Sequence, residues 1–277
     1  MKEKTKVAVV TGGGGVLCSA FAKCLAKEGY SVAVLDLNLD MAKKCADEIV
    51  ALGGVAKAYK ANVLDKAMLE SVREEINADL GKCTLLINGA GGNNPKATAY
   101  AEYYNDGDES REDVKTFFNI DRSDFGFVFD LNIVGTLIPS QVFSPEMIGN
   151  PDASIINISS MNAFTPLTKI PAYSAAKSAV SNFTQWLAVY FAKTGLRVNA
   201  IAPGFFVTNQ NRALLYNDDG TPTPRTDKIL NATPMGRFGD PDELLGALKF
   251  LADSSMSSFV TGVVIPIDGG FSAYSGV

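Results

Sequence analysis

The sequence predicts an α/β fold: a single domain built on a doubly wound parallel sheet with helices on both faces. Three observations carry that prediction. β-Branched apolar runs alternate with segments of helical apolar spacing along most of the chain. The first run breaks into four consecutive glycines that open a helix, a strand–turn–helix signature. No internal repeat, low-complexity tract or linker interrupts the 277 residues, enough for one large domain with a well-buried core.

The elements follow in order. Residues 6–10 form the first strand and end in Thr11-Gly12-Gly13-Gly14-Gly15. Residues 16–28 place Leu17, Phe21 and Leu25 at helical spacing and close on Gly29. Residues 31–35 are the second strand, ending at Asp36, and residues 41–52 an amphipathic helix stopped by Gly53-Gly54. Residues 55–61 are the third strand. Asp65 caps a helix to about residue 80, and Gly81 ends it. The fourth strand, residues 84–87, runs into Asn88-Gly89-Ala90-Gly91. Here the rhythm breaks. Residues 92–122 are polar, too long for an ordinary strand–helix connection, and follow a strand's carboxyl end, where doubly wound sheets bind ligands. They read as a substrate-side excursion or as a surface insertion. Ser123 caps a long helix to about residue 147, residues 153–158 are the fifth strand, and a helix bearing Tyr173 runs to about residue 193, stopped by Gly195. Residues 197–201 are the sixth strand, leading into Pro203-Gly204. Residues 205–237, punctuated by Pro222, Pro224 and Pro234, form a second excursion of loop and short helical pieces. Pro241 opens a last helix and residues 263–267 are the seventh strand.

Composition narrows the function classes. A net charge of −5 without a basic cluster argues against nucleic-acid or anionic-membrane partners. No uninterrupted apolar run approaches the ~20 residues that span a bilayer, and the start, MKEKTKVAVV, lacks the apolar core and cleavage site of a signal peptide. Cys18, Cys24, Cys45 and Cys83 show no CxxC spacing, so reduced thiols in a cytoplasmic enzyme are expected, with no disulfide or metal framework. The chain contains no histidine. Ser-His-Asp hydrolysis, His-ligated zinc and His general-base chemistry are therefore excluded, and any acid–base group must be Tyr, Lys, Cys or a carboxylate.

Two features carry chemistry. The glycine turn can bring backbone N–H groups to a pyrophosphate at a helix N-terminus. Asp36, 24 residues beyond Gly12 at the next strand's end, can accept both adenosine-ribose hydroxyls and would repel a 2′-phosphate. Leu37 follows it, with no adjacent Arg or Lys, so NAD(H) is favoured over NADP(H). The second feature is the stretch IINISSMNAFTPLTKIPAYSAAK. A buried strand ends at Ser159-Ser160, and Tyr173 and Lys177 stand one helical turn apart on one face of the next helix. A phenol beside an ammonium, with a hydroxyl at a strand end, is a proton-transfer device. The ammonium one turn away, together with the positive nicotinamide of NAD⁺, is expected to stabilise the phenolate and lower the phenol's pKa.

With these pieces in line, the chain resembles the short-chain dehydrogenase/reductase family from end to end. The matching motifs are TGGGG at residues 11–15, NGAG at residues 88–91, Asn132 in DLNIVG, the Ser160 strand end, YSAAK at residues 173–177, and Pro203-Gly204 followed by Thr208. Asn62-Val63 matches an adenine-contacting Asp-Val with Asn replacing Asp. The resemblance implies a Rossmann-type fold, a homotetramer, and a tetrad of Asn132, Ser160, Tyr173 and Lys177. It implies that Lys177 also binds the nicotinamide ribose and that Asn132 anchors a proton-relaying water. It places the cofactor against Gly12, Gly14, Gly15, Val16, Asp36, Leu37, Asn62, Val63, Asn88, Ala90, Gly91, Tyr173, Lys177, Pro203, Gly204, Phe206 and Thr208. Three departures stand out. Val16 and Cys18 occupy positions where the family's TGxxxGxG has glycines, with Gly15 a substitute through a shifted turn, and Gly89 replaces the second Asn of the commoner Asn-Asn.

The segments expected around the nicotinamide are polar: residues 92–96, Met161-Asn162, Thr168-Lys169 and residues 208–212. Amide, hydroxyl and cationic groups suit a polyhydroxylated, anionic substrate, because a buried site must pair each hydroxyl and the carboxylate. Asn93, Asn162, Lys169 and Arg212 are the candidates, with Arg212 suited to bidentate carboxylate binding. Lys96 and Lys169 read equally well as surface loop residues. Segments such as GAGGNNPKAT, APGFFVTNQNRALL and DGGFSAYSGV resemble the D-mannonate oxidoreductase (fructuronate reductase) branch of the family. That resemblance implies interconversion of D-fructuronate and D-mannonate. A gluconate-type dehydrogenase and a non-catalytic NAD-binding regulator are the alternatives. The apolar tail, FVTGVVIPIDGGFSAYSGV, is expected at a subunit interface near an active site.

Overall fold

Seven apolar runs pair as the strands of one parallel sheet, in the order β3-β2-β1-β4-β5-β6-β7. They are β1 (Val7–Thr11), β2 (Ser31–Asp36), β3 (Val55–Lys60), β4 (Leu85–Asn88), β5 (Ser154–Ile158), β6 (Arg197–Pro203) and β7 (Val264–Ile267). The computed structural model describes residues 6–208 and 211–276. Asn209 and Gln210, within the polar segment 208–212, lie outside the described residues.

β1, β4, β5 and β6 are buried along their whole length, which is why their sequences are mostly apolar, with a few buried polar residues such as Asn88, Asn157 and Asn199. The edge strand β3 instead alternates, exposing Val55, Lys57 and Lys60. One face of the sheet is covered by α1 (Val16–Lys27) and α2 (Leu39–Ala51), with Phe21, Leu25 and Ile49 in its core. The opposite face is covered by α3 (Lys66–Asp79), α4 (Arg122–Met147) and α5 (Pro171–Phe191), which bury Leu69, Phe143 and Phe191. The last long helix, α6 (Leu245–Ala252), returns to the first face through Leu248 and Leu251. The strand order reverses between β1 and β4, and such a switch point opens a crevice at the strands' carboxyl ends.

Local chemistry differs from the sequence expectation in three places. Asp121, not Ser123, caps α4: its Oδ1 accepts the Ser123 N–H at 2.7 Å. The last helix opens as a 3-10 turn, Pro241–Leu244, whose capping box pairs Asp240 and Glu243. Residues 92–122 are folded, with 3-10 turns at Pro95–Ala97, Asp108–Ser110 and Phe117–Asn119. Helix α4 is long and apolar enough, by length and composition alone, to cross a membrane. Here it is a core helix: it carries Pro139 and Pro145, and it buries Asn132, Thr136 and Ser140 beside Val142 and Phe143.

Candidate active site

Four side chains converge where β4 and β5 end. Ser160 leaves β5 in an extended conformation and its Oγ accepts the Asn162 N–H at 3.3 Å, starting a short turn, Met161–Ala163. α5 then places Tyr173 and Lys177 on one face, the Lys177 Nζ 5.6 Å from the centre of the Tyr173 ring. Lys177 is buried, and its ammonium donates to the Ile158 carbonyl at 2.8 Å. Asn132 has no exposed surface and sits in a π-turn, Asp130–Val134, within α4. π-Turns are rare and gather at functional sites. The Asn132 amide donates to the Gly92 and Val128 carbonyls, both at 2.8 Å, while its Oδ1 accepts the Gly92 N–H. A Cβ on Gly91 would lie 2.7 Å from Asn132 Oδ1 and 3.2 Å from Lys177 Nζ, so these groups close around the loop that follows β4.

The electrostatics differ from the sequence expectation. Burial pushes the Tyr173 phenol above its ordinary value, and only the Ser160 hydroxyl beside it acts downward. Burial also pulls the Lys177 ammonium down to about 8, opposed by the Cys18 thiol. The lysine, not the phenol, is therefore the group poised near neutral pH.

The cofactor side is built from the first glycine turn. Gly12 has a φ of +64°, and a Cβ there would lie 3.0 Å from the Ala90 backbone, so only glycine fits where the β1 and β4 loops meet. The Thr11 hydroxyl stitches the same junction, accepting the Gly89 and Ala90 N–H groups at 3.1 and 3.2 Å. Gly15, in an extended conformation, is the residue before α1, and Val16 is its first residue. Asp36 is held by two backbone donors, Gly14 N–H on Oδ2 at 3.1 Å and Asn38 N–H on Oδ1 at 2.9 Å. It borders an open cavity of about 590 Å³ with Leu37, Asn38, Leu39, Asp40 and Lys60. A glycine turn at a helix N-terminus, leading to a strand-end carboxylate beside an open cavity, fits the pyrophosphate and adenosine ends of a dinucleotide. Asn62, Val63, Ala90, Gly204 and Thr208 lie at strand ends or in the loops that follow, all buried or half-buried.

Three of the expected cofactor residues, Asn88, Phe206 and Pro203, have buried side chains. The Asn88 amide, buried, donates to Ser140 and Asn157 and joins β4 to α4 and β5. Phe206, also buried, packs its ring on Gly239, while Pro203 is buried at the end of β6. Of the substrate candidates, Asn162 is buried with its Oδ1 unpaired, beside Ser160. Lys169 is half-buried at a φ of +71°, the single non-glycine residue with positive φ among the described residues. Its carbonyl accepts the Ala99 N–H at 2.7 Å, which joins the first excursion to the α5 approach. Asn93 is exposed and bonded to Thr98. Arg212 is exposed, its guanidinium 5.7 Å over the Tyr216 ring.

The departures at Cys18 and Gly89 explain each other. A Cβ on Gly89 would lie 2.2 Å from the Cys18 Sγ. The thiol thus fills the space that a side chain at position 89 would need, and a sequence alone gives no sign that the two positions touch. The ion pair between Lys228 and Glu102, at 2.8 Å, was equally invisible and ties the two excursions together. So was Lys60, which β3 brings to the Asp36 cavity from 24 residues away.

A sheet with this switch point, this glycine turn and this Ser-Tyr-Lys grouping defines a nucleotide-dependent oxidoreductase. The chain belongs to the short chain dehydrogenase family, whose pattern matches residues 6–218. An uncharacterised oxidoreductase of Haemophilus influenzae is 60% identical over 274 residues, 99% of this chain and 95% of that protein. The crystal structure of a candidate D-mannonate oxidoreductase from Haemophilus, with bound NAD, has a TM-score of 0.94 at 60% identity, covering 98% of this chain and 96% of that one. A gluconate 5-dehydrogenase of Burkholderia cenocepacia, in complex with NADP and tartrate, has a TM-score of 0.81 at 28% identity, covering 97% and 96%. The chain is therefore an enzyme acting on CH–OH groups with a nucleotide cofactor.

Proposed function

We propose that the enzyme interconverts a secondary alcohol and a ketone on a sugar acid, D-mannonate and D-fructuronate, with NAD(H) preferred over NADP(H). The observation that carries the chemistry is the convergence of Ser160, Tyr173, Lys177 and Asn132 at the switch-point crevice, one strand from the glycine turn. A bound nicotinamide dinucleotide supplies the hydride acceptor, or the donor in reduction. Tyr173 exchanges the proton of the substrate oxygen. Its phenol, raised by burial, stays protonated at neutral pH, the form that gives a proton to a ketone as hydride arrives. The Ser160 hydroxyl donates to the same oxygen and stabilises the charge that develops there. Lys177 supplies a nearby positive charge that favours the phenolate left behind, and Asn132 fixes the Gly92 loop against it. Asp36 selects NAD(H) through the ribose hydroxyls.

Support for the substrate class comes from the wall of the pocket. The unpaired Asn162 Oδ1 needs a donor, which a substrate hydroxyl provides. Lys169, half-buried and joined through its carbonyl to Ala99, is a partner for the carboxylate, a role for which Arg212 on its exposed turn is less well placed. The likeness to the Haemophilus protein supports the mannonate pair, and the likeness to a gluconate 5-dehydrogenase supports a gluconate-type substrate as second reading. A panel of sugar acids with NAD⁺, followed by NADH absorbance, separates them: turnover of D-mannonate above all others is expected, and preference for a gluconate overturns the first assignment. A buried proton-transfer group has no use in a pure NAD-binding regulator. Assembly as a cytoplasmic homotetramer, with the apolar tail from Phe259 onward packing at an interface, belongs to the same proposal, and monomeric light scattering would count against it.

A further inference from the structure

We propose that Lys60 is a second cofactor-discriminating residue, a cation placed beside Asp36 that receives a 2′-phosphate and keeps the site open to NADP(H). The inference rests on the reading of the Asp36 cavity as the adenosine end of a dinucleotide site. β2 and β3 are parallel, and Asp36 and Lys60 are register partners at their carboxyl ends. Partners in register on neighbouring strands, ~4.8 Å apart, point to the same face of the sheet. Both side chains line the same open cavity, between Leu37 and Asp40.

The two groups are held differently. Asp36 is fixed by the Gly14 and Asn38 N–H groups, so its carboxylate has a set orientation. Lys60 is exposed, and among the described residues no carboxylate stands within ion-pair distance of its ammonium. The other lysine of the strand, Lys57, is tied to Asp79 at 2.6 Å. β3 therefore offers one committed lysine on the outer surface and one free lysine at the ribose end. A phosphate ester on the 2′-oxygen would meet both the Asp36 carboxylate, which repels it, and the Lys60 ammonium, which attracts it. Asp36 sets the preference for the free ribose, and Lys60 limits how strong that preference becomes.

Calorimetric titration of the purified enzyme with 5′-AMP and with adenosine 2′,5′-bisphosphate tests this without any turnover. Asp36→Asn keeps the hydrogen-bonding shape and removes the repelling charge. Adenosine 2′,5′-bisphosphate is expected to bind Asp36→Asn about tenfold more tightly than the Asp36→Asn/Lys60→Gln double variant, and the gap should shrink with added salt. The 5′-AMP affinity should change less than about twofold on Lys60→Gln. Equal bisphosphate affinities with 5′-AMP binding intact overturn the role of Lys60 alone. Failure of 5′-AMP to bind the wild-type enzyme overturns the cavity assignment and Lys60 with it. Thermal melts confirm that each variant is folded before titration.

Discussion

The strand-end tetrad and the excursion that faces it are held by different forces. Asn132, Ser160 and Lys177 are buried side chains on helices and strand ends, each bonded to backbone: Lys177 to Ile158 of β5, Ser160 to the turn that follows β5, and Asn132 to its own helix and to Gly92 just past β4. The excursion buries little. Tyr103, Tyr104, Phe117 and Phe118 are exposed on it, and Ala97 is its one side chain in a core cluster, packed near Val128, Ala172 and Tyr173. A polar knot does the rest: Asp108 accepts the Tyr100 hydroxyl at 2.7 Å and the Asn105 N–H at 3.0 Å, and Arg111 lies over the Tyr100 ring. The difference teaches that the proposed catalytic groups are placed by the fold, while the proposed substrate wall is placed by a few hydrogen bonds. Changes in the tetrad should alter rate at constant structure, and changes in the knot should alter substrate binding at constant chemistry.

The largest effect tests the first half of that contrast. Tyr173→Phe removes the proposed proton donor and leaves the ring packed against Ala97 and Val128. Turnover should fall by about 10²–10⁴-fold, while NADH still binds and the melting temperature stays within a degree or two. A variant with near-wild-type turnover would show that another group moves the proton.

Lys177→Met sharpens the point, because the same residue is costly to the fold. With burial holding the ammonium down at about 8, the folded chain below that pH keeps a charge that water would solvate better. That penalty, about 3 kcal/mol, is fully present below pH 8. It fades as pH rises toward the ordinary lysine value, because the unfolded chain alone still binds the proton in that window. Methionine removes the charge and keeps the length, at the loss of the Ile158 hydrogen bond, worth about 1 kcal/mol. The variant should be inactive yet more stable by about 2 kcal/mol at pH 7, with the gain shrinking above pH 8. Identical melts across that range would mean that the ammonium is not strained by burial.

These two halves of the molecule were not equally legible in the sequence. The seven strands and the helices between them follow from period and glycine stops, and the pairing of Tyr173 with Lys177 from their i, i+4 placement, all of which are local, whereas Asn132 entered only through the family resemblance and the strand order only through the structure. What spacing cannot carry is a contact between segments far apart in the chain. Lys60 reaches the Asp36 cavity through strand register, Cys18 fills the place over Gly89, and Lys228 meets Glu102 across 126 residues. The Tyr173 phenol shows the same limit: helical spacing reveals the neighbouring ammonium but not the burial that pushes the phenol up. The residues 92–122 look like loop because their order comes from side-chain bonds, which leave no periodicity.

Asp108→Asn tests the polar knot directly. The Tyr100 and Asn105 bonds hold the Asp108 carboxyl below the usual carboxylate range, so its contribution is present above that range and is lost as pH falls through the lowered value. The amide weakens both bonds at neutral pH. KM for the proposed sugar-acid substrate should rise several-fold with kcat changed less than about twofold, and residues 92–122 should become the first site of limited proteolysis. A fall in kcat at constant KM would place the excursion in the chemistry and erase the distinction between the two regions.

The smallest effect on stability concerns Lys169, where the two regions meet. A side chain at a φ of +71° is held there at a conformational cost of about 1 kcal/mol, and the Ala99 N–H on its carbonyl is what keeps it. Lys169→Gly removes the strain but also frees the unfolded chain, so the melting temperature should rise by no more than a degree or two. Lys169→Ala keeps the strain and removes the ammonium. If Lys169 binds the substrate carboxylate, both variants raise KM for a sugar acid by about tenfold, and neither changes KM for a neutral polyol. If it is there only to turn the chain, glycine leaves every KM unchanged and alanine changes none selectively. The pair of variants thus separates a backbone role from a charge role at the one residue where the substrate wall is strained.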